Sequence, residues 1–398
     1  MAGIYLPDLD VIARCSRDPG SGPRILFFSG GTALRDLSRR IISFSHNTRH
    51  LITVFDSGGS SAVIRKAFRM PAVGDLRNRL TALADPGFPG QPAVYSLFSY
   101  RMSQDQSQHK LRQELHAMCQ GTHPLLLDIS DPMRSIMQHH LRYFFKKMPE
   151  DFDLRGASVG NLLLAASYLE SGRRLAPALS IYSRLISVRG GVIPILERDL
   201  HLVAELEGGE RILGQHLLTG KECPEITAKI LRLYLTDDLA EGREIHVESD
   251  LMVRDEIRQA DLICYPMGSF YTSLIANLLP EGVGSAVAAA PCPKVFVPNT
   301  VRDSESIGLG VKDMVTRLLS YLKRDRPGIH THDLLNYVLL DQDLDIYSES
   351  YPGPLDDEYL ASMLGVRVIR CRLVSNRSRP FIDPDLLAEQ LISMAGKG

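Results

Sequence analysis

The chain has 398 residues, 44% of them hydrophobic, and its 45 Lys plus Arg against 47 Asp plus Glu give a formal charge of −2. That balance, without a basic stripe, argues against nucleic-acid binding; no run of about 18 uncharged apolar residues offers a membrane span and no charged-then-apolar leader opens the chain, so a cytoplasmic protein is expected. The cysteines at positions 15, 119, 223, 264, 292 and 371 lack close spacing and read as reduced thiols, while His139-His140 and His330-Thr331-His332 lack the neighbours of a zinc site and read as surface histidines.

The first strong element is the apolar run Ile25-Leu26-Phe27-Phe28, a buried strand over 25–29 that ends in Ser29-Gly30-Gly31-Thr32 before a helical pattern over 33–44. Gly30 and Gly31 let backbone N–H groups approach an anion, Thr32 adds a hydroxyl, and the first amides of the helix aim at the same spot. An ordinary tight strand-to-helix turn would use the same glycines. A second strand, over 51–56, ends in Asp56-Ser57-Gly58-Gly59-Ser60-Ser61, which places Gly58, Gly59, Ser60 and Ser61 beside the first turn. In an open parallel sheet both loops lie on the carboxyl edge, where ligands bind. The segment Pro71-Ala72-Val73-Gly74-Asp75-Leu76-Arg77-Asn78 then brings Asp75, Arg77 and Asn78 together within one turn at a helix start.

Turn residues Asp85-Pro86-Gly87-Phe88-Pro89-Gly90 open an interruption, and helical patterns over 104–120 and 131–147 make 86–150 a helical insertion or cap. Gly156-Ala157-Ser158-Val159-Gly160 fits the Gly-x-Ser-x-Gly elbow of hydrolases, but the residues upstream are polar where the elbow needs a buried strand, so a nucleophile at Ser158 is rejected. Helical patterns follow over 160–170 and 176–187. The segment 199–247 suggests added β structure, with His201 to Leu206 a strand and Glu207-Gly208-Gly209 a turn. A strand over 261–265 leads into Gly268, Ser269, Tyr271 and Thr272, whose amides and hydroxyls suit a second phosphate or a ribose; Tyr271 and Thr272 equally suit core packing and capping. A strand over 294–298 and a helix over 310–323 complete the alternation. The pattern predicts an α/β, three-layer Rossmann-like fold with a mainly parallel sheet and a helical insertion, one domain over 1–398. Neither Gly-x-Gly-x-x-Gly nor a Walker loop follows a strand, which removes simple dehydrogenases and ATPases.

Taken together these motifs resemble the CofD-like superfamily, which includes the 2-phospho-L-lactate transferases and the YvcK-type gluconeogenesis factors. The YvcK arm is the nearer one: its Gly-Gly-Thr-Gly, Asp-Asp-Gly-Gly-Ser-Ser and Pro-Pro-Gly-Asp-Ile-Arg-Asn segments are similar to those at 30–33, 56–61 and 71–78. The likeness continues in Phe98-Ser99-Tyr100-Arg101, in Gly156 to Leu163, in Gly268-Ser269-Phe270-Tyr271-Thr272-Ser273 and in Asp383-Pro384-Asp385-Leu386-Leu387-Ala388. It breaks at Ala33, where the family has a third glycine, at Ser57, where it has a second aspartate, and at Met267. The resemblance implies a helix start at Ser158, with Ser158 as its cap and Asn161 facing ligand, and an Mg²⁺ held by Asp56 and Asp75. It implies a protein that binds a nucleotide-diphosphate of the UDP-sugar type and regulates carbon or envelope metabolism. The alternative it implies is an Mg²⁺-dependent transferase acting on a guanosine diphosphate ester, with Asn161 or Arg77 orienting phosphates, although that arm's Ser-Pro-Asp-Leu-Asp-Thr-type motif does not occur. No residue is assigned as catalytic, and a homodimer is the expected assembly.

Overall fold

In the computed structural model, which describes residues 6–85, 87, 91–219, 226–348, 350–352 and 357–396, Ile25 and Phe27 pack into one core while Leu26 and Phe28 pack into another, all four fully buried. A strand covered on both faces requires this unbroken apolar run, whose side chains alternate between the two faces. The strands are β1 (Ile25–Ser29), β2 (Arg49–Ile52), β3 (Gly191–Pro194), β4 (His201–Leu206), β5 (Arg211–Leu213), β6 (Ile230–Thr236), β7 (Leu262–Tyr265), β8 (Lys294–Phe296), β9 (Tyr337–Asp341) and β10 (Arg367–Cys371). Seven of them form one sheet in the order β10-β9-β8-β7-β1-β2-β3, and every adjacent pair is parallel.

The helices Leu9–Arg17, Arg35–Ile41 and Pro384–Ala395 close one face, where Val11, Leu37, Ile41, Leu387 and Leu391 meet Ile25, Phe27, Leu262 and Cys264. On the other face Leu26, Phe28, Ile263 and Tyr265 belong to a larger core that takes in the helices Val159–Glu170, Val283–Ala289 and Val311–Leu322. Burying each large side chain there contributes roughly 1.5–3 kcal/mol. The result is the expected three-layer α/β fold. A smaller antiparallel sheet, β5-β4-β6, is built from His201–Leu206, Arg211–Leu213 and Ile230–Thr236 and gives the β structure anticipated for 199–247.

Boundaries shift where local pattern and pairing diverge. The second strand covers Arg49–Ile52 rather than 51–56, because Val54 and Phe55 are buried beyond the end of the sheet and the Val54 carbonyl accepts from Ala72 N–H at 2.9 Å. The helix expected over 33–44 begins only at Arg35, after a turn closed by Arg35 N–H to the Thr32 carbonyl at 3.0 Å. Sequence reasoning missed β3, β9 and β10. The apolar run at 337–341 carried a strand signal, whereas β10 has exposed positions at both Arg367 and Arg370. Between residues 86 and 150 stand the helices Gln91–Ser99, Gln108–Gln120, Pro124–Leu127 and Met133–Lys147, the last packed on Val159–Glu170; of the opening turn, residues 86 and 88–90 lie outside those described. Cys15, Cys119, Cys264, Cys292 and Cys371 are unpaired and buried, and Cys223 lies outside the described residues. His140 departs from the surface expectation: it is buried, with Nδ1 2.6 Å from the Tyr182 hydroxyl, while His139 stays exposed against Glu170. Among the described residues no helix is long and apolar enough to cross a membrane.

Candidate functional site

Chain order decides where the sheet opens. From β1 the chain proceeds outward through β2 to β3, and from β7 it proceeds the other way through β8, β9 and β10. The loops after β1 and β7 therefore leave the sheet in opposite senses, and the crevice between them is the switch point at which such folds bind ligands. A cleft of about 280 Å³ lies there, lined by Ser29 to Leu34 after β1, by Pro266 to Ser269 and Thr272 to Leu274 after β7, and by residues of the loop after β2.

Most of the residues nominated from sequence meet on this cleft. Gly30, Gly31, Thr32, Asp56, Gly58, Gly59, Ser60, Ser61, Asp75, Arg77, Asn78, Asn161, Gly268, Ser269 and Thr272 all line it. The first turn requires glycine by close approach: a Cβ on Gly31 would lie 2.0 Å from Asp75 Oδ1 and one on Gly30 would lie 2.4 Å from Ser273 Oγ. Asn161 bridges the second and third loops, donating from Nδ2 to Ser60 Oγ at 3.0 Å while its Oδ1 accepts from Arg77 Nε at 3.2 Å. Burial and the neighbouring Arg101 guanidinium pull the Arg77 guanidinium down to about 10, with the Asp75 carboxylate acting the other way. A half-buried cation pressed by a second cation favours an incoming anion.

Two nominated residues stand elsewhere. Tyr271 is fully buried, its hydroxyl donating to the Ile230 carbonyl at 2.9 Å, so it serves the core. Ser158 occupies the N-cap position of Val159–Glu170, at the helix start expected there, but its side chain makes no capping hydrogen bond; the hydroxyl is buried, without a partner and off the cleft, so Ser158 is no exposed nucleophile. Of the amides expected to grip a second phosphate, those of Gly268, Tyr271 and Thr272 are engaged. Gly268 N–H donates to Asn299 Oδ1, Phe270 N–H to Asp303 Oδ2 at 2.7 Å, and Tyr271 and Thr272 N–H to Glu305 Oε2, while Thr272 Oγ1 donates to Glu305 Oε1. Burial, then the nearby Asp303 carboxylate, pushes the Glu305 carboxyl up to about 8.

Behind the glycine loops lie two buried arginines that sequence reasoning did not single out. Arg79, on the helix Gly74–Ala82, donates to the carbonyls of Gly30 at 2.9 Å and Leu34 at 3.0 Å and to Ser38 Oγ. Arg65, on the helix Gly59–Phe68, donates to the carbonyls of Phe55 at 2.9 Å and Asp56 at 3.1 Å and pairs with Asp199 at 2.7 Å. Each clamps the carbonyl side of one loop. Arg101, Gln215, His216 and Thr219 also join the cleft wall unannounced, and only Arg101 carried a signal, within Phe98 to Arg101.

Asp56 and Asp75 both reach the cleft, Asp56 Oδ1 accepting from Gly58 N–H at 3.1 Å. Among the described residues no three His, Cys, Asp or Glu side chains gather as a metal cluster. Two carboxylates suit an Mg²⁺ shared with a ligand's diphosphate, since that ion keeps waters and takes one or two carboxylates plus phosphate oxygens.

Comparison with known proteins gives a family and a fold. Residues 25–374 match the family described as 2-phospho-L-lactate transferase CofD. The gluconeogenesis factor of Bacillus subtilis (strain 168) is 28% identical over 363 residues, covering 90% of this chain and 93% of that protein. The gluconeogenesis factor of Halalkalibacterium halodurans is 28% identical over 302 residues, covering 75% of this chain and 73% of its own length. A crystal structure of a UPF0052 family protein from Bacillus halodurans superposes with a TM-score of 0.66 at 24% identity, covering 93% of this chain and 99% of that one, a likeness of fold.

Proposed function

This chain belongs to the CofD family, and we propose that within it the protein binds a nucleoside diphosphate of the UDP-sugar type and acts as a regulator in carbon or envelope metabolism. The observation that carries this reading is the convergence of two glycine loops, after β1 and β2, on a cleft at the β1/β7 switch point, with Arg77 and Arg101 on its wall. Glycine amides and a helix N-terminus supply anion-binding donors, and guanidinium groups match phosphate geometry. The relatives named gluconeogenesis factor support the regulatory part. Asp56 and Asp75 are the residues that would hold an Mg²⁺, which when bound neutralises phosphate charge, but in this reading nucleotide binding does not require the ion.

The same two carboxylates favour a second reading, a transferase that uses the metal to neutralise a diphosphate leaving group. Thermal stabilisation separates the two, because a ligand that binds only the folded state raises the melting temperature. Stabilisation by UDP-N-acetylglucosamine or UDP-glucose without a metal requirement, the ligand being recovered intact, is the expected result. Strictly Mg²⁺-dependent stabilisation by GDP or GTP, lost in Asp56→Asn, would move the protein to the transferases.

A further inference from the structure

His216, in the turn after β5, holds its imidazole against the loop after β2. Its Nδ1 lies 2.7 Å from Ser57 Oγ, and the same oxygen accepts from His216 N–H at 3.1 Å. The ring also lies over Gly214, where a Cβ would come within 3.2 Å of both His216 Nδ1 and Cε1 and where a φ of +105° already strains any side chain. Gly214 N–H donates to the Leu202 carbonyl at 2.8 Å, which fixes the turn to β4. The imidazole is therefore braced from two elements.

These contacts also decide which ring nitrogen carries the proton. Ser57 Oγ already accepts one hydrogen, and among the described residues its own hydroxyl hydrogen has a single acceptor, His216 Nδ1. A ring that accepts at Nδ1 keeps its neutral-state proton on Nε2. Among the described residues Nε2 has no hydrogen-bond partner, and it retains accessible surface on a half-buried side chain that lines the cleft. An imidazole tied at one nitrogen and open at the other is a preorganised N–H donor.

The loop that holds the ring determines what that donor meets. Ser57 stands directly before Gly58, and Gly58, Gly59, Ser60 and Ser61 line the cleft at the N-terminus of the ten-residue helix Gly59–Phe68. A helix N-terminus with glycines around it draws an anion, and a ring tied to Ser57 brings one more donor to that anion. We propose that His216 is a phosphate-binding residue of the cleft, donating from Nε2 to an oxygen of the ligand's diphosphate, with Ser57 as the positioning residue that sets its tautomer; this rests on the nucleotide reading above.

The test is calorimetric titration of the full chain with inorganic diphosphate and with UDP, without added metal, for the wild type, His216→Ala, His216→Gln and Ser57→Ala. His216→Ala is expected to bind both ligands about tenfold more weakly, the loss of one hydrogen bond to a charged acceptor. His216→Gln, whose amide N–H reaches about as far as Nε2, is expected to recover part of that loss, and it decides the matter if His216→Ala does not fold. Unchanged affinity in both His216 variants overturns the proposal, and so does a loss for UDP with diphosphate unaffected, which would put the contact on the uridine. Long-range ¹H–¹⁵N NMR at pH 8, with the His216 signals identified by their absence from His216→Gln, is expected to show Nε2 protonated and Nδ1 bare in the wild type; the opposite tautomer overturns it as well. Ser57→Ala is expected to mix the tautomers and to weaken both ligands by a smaller factor, whereas wild-type binding and tautomer in that variant would remove the positioning role. A wild type that binds neither ligand removes the parent reading, an outcome separate from a wild type that binds and His216 variants that bind equally.

Discussion

Glu305 shows how one side chain can reassign a motif. Gly268 to Ser273 carries small and hydroxyl residues after a strand, which is what a phosphate loop looks like in sequence, yet Glu305 occupies the amides of Tyr271 and Thr272 from 33 to 34 residues away. Its carboxyl is pushed up to about 8 by burial and by Asp303. A group that holds its proton in the folded state but loses it near pH 4.3 when unfolded stabilises most at low pH, and that contribution falls as pH rises from about 4 to about 8. Glu305→Gln keeps the acceptor oxygen and removes the titration. Its urea midpoint is therefore expected to gain on the wild type between pH 5 and 8, and taking the difference cancels the buried histidines His50 and His140, whose depressed proton affinities act oppositely in acid. Parallel curves for the two proteins would contradict the assignment.

At the scale of elements, the glycine turns work only because helices brace them. Arg79 projects from Gly74–Ala82 beneath the first turn and donates to the Gly30 carbonyl and, beside Ser38 N–H, to the Leu34 carbonyl. Burial and desolvation make that guanidinium costly, lowering it to about 10 against the opposing pull of Asp75. A buried cation of that cost, spent on loop carbonyls, fits a role in fixing the loop. Arg79→Met is expected to lose about 1–3 kcal/mol in urea unfolding, from the stranded Gly30 carbonyl, and to weaken nucleotide binding further than a surface change such as Arg155→Met. The sequence announced the turns themselves, since Gly30, Gly31, Gly58 and Gly59 stand immediately behind apolar runs. It did not announce the braces, because an arginine inside a helical pattern looks like a solvated charge until tertiary packing buries it.

For the whole molecule, topology places the cleft between β1 and β7, strands separated by more than two hundred residues, with the turn after β5 forming another wall. Ligand binding is expected to slow amide hydrogen exchange together in the loops at 30–34, 57–61 and 266–274 and in the turn at 214–219, while leaving the surface between Arg39 and Tyr95 unchanged. Protection confined to the first two loops would place the ligand off the switch point. Local rules were enough to read the α/β alternation, the parallel sheet and the two glycine loops, because strand burial, turn sterics and helix periodicity act over a few residues. The pairing of β1 with β7, the filling of the Tyr271 and Thr272 amides by Glu305, the clamp of Arg79 and the tether from Ser57 to His216 were decided only by the tertiary structure. Each joins residues distant in the chain, and it is their burial against one another, invisible in local sequence, that fixes which groups remain to meet a ligand.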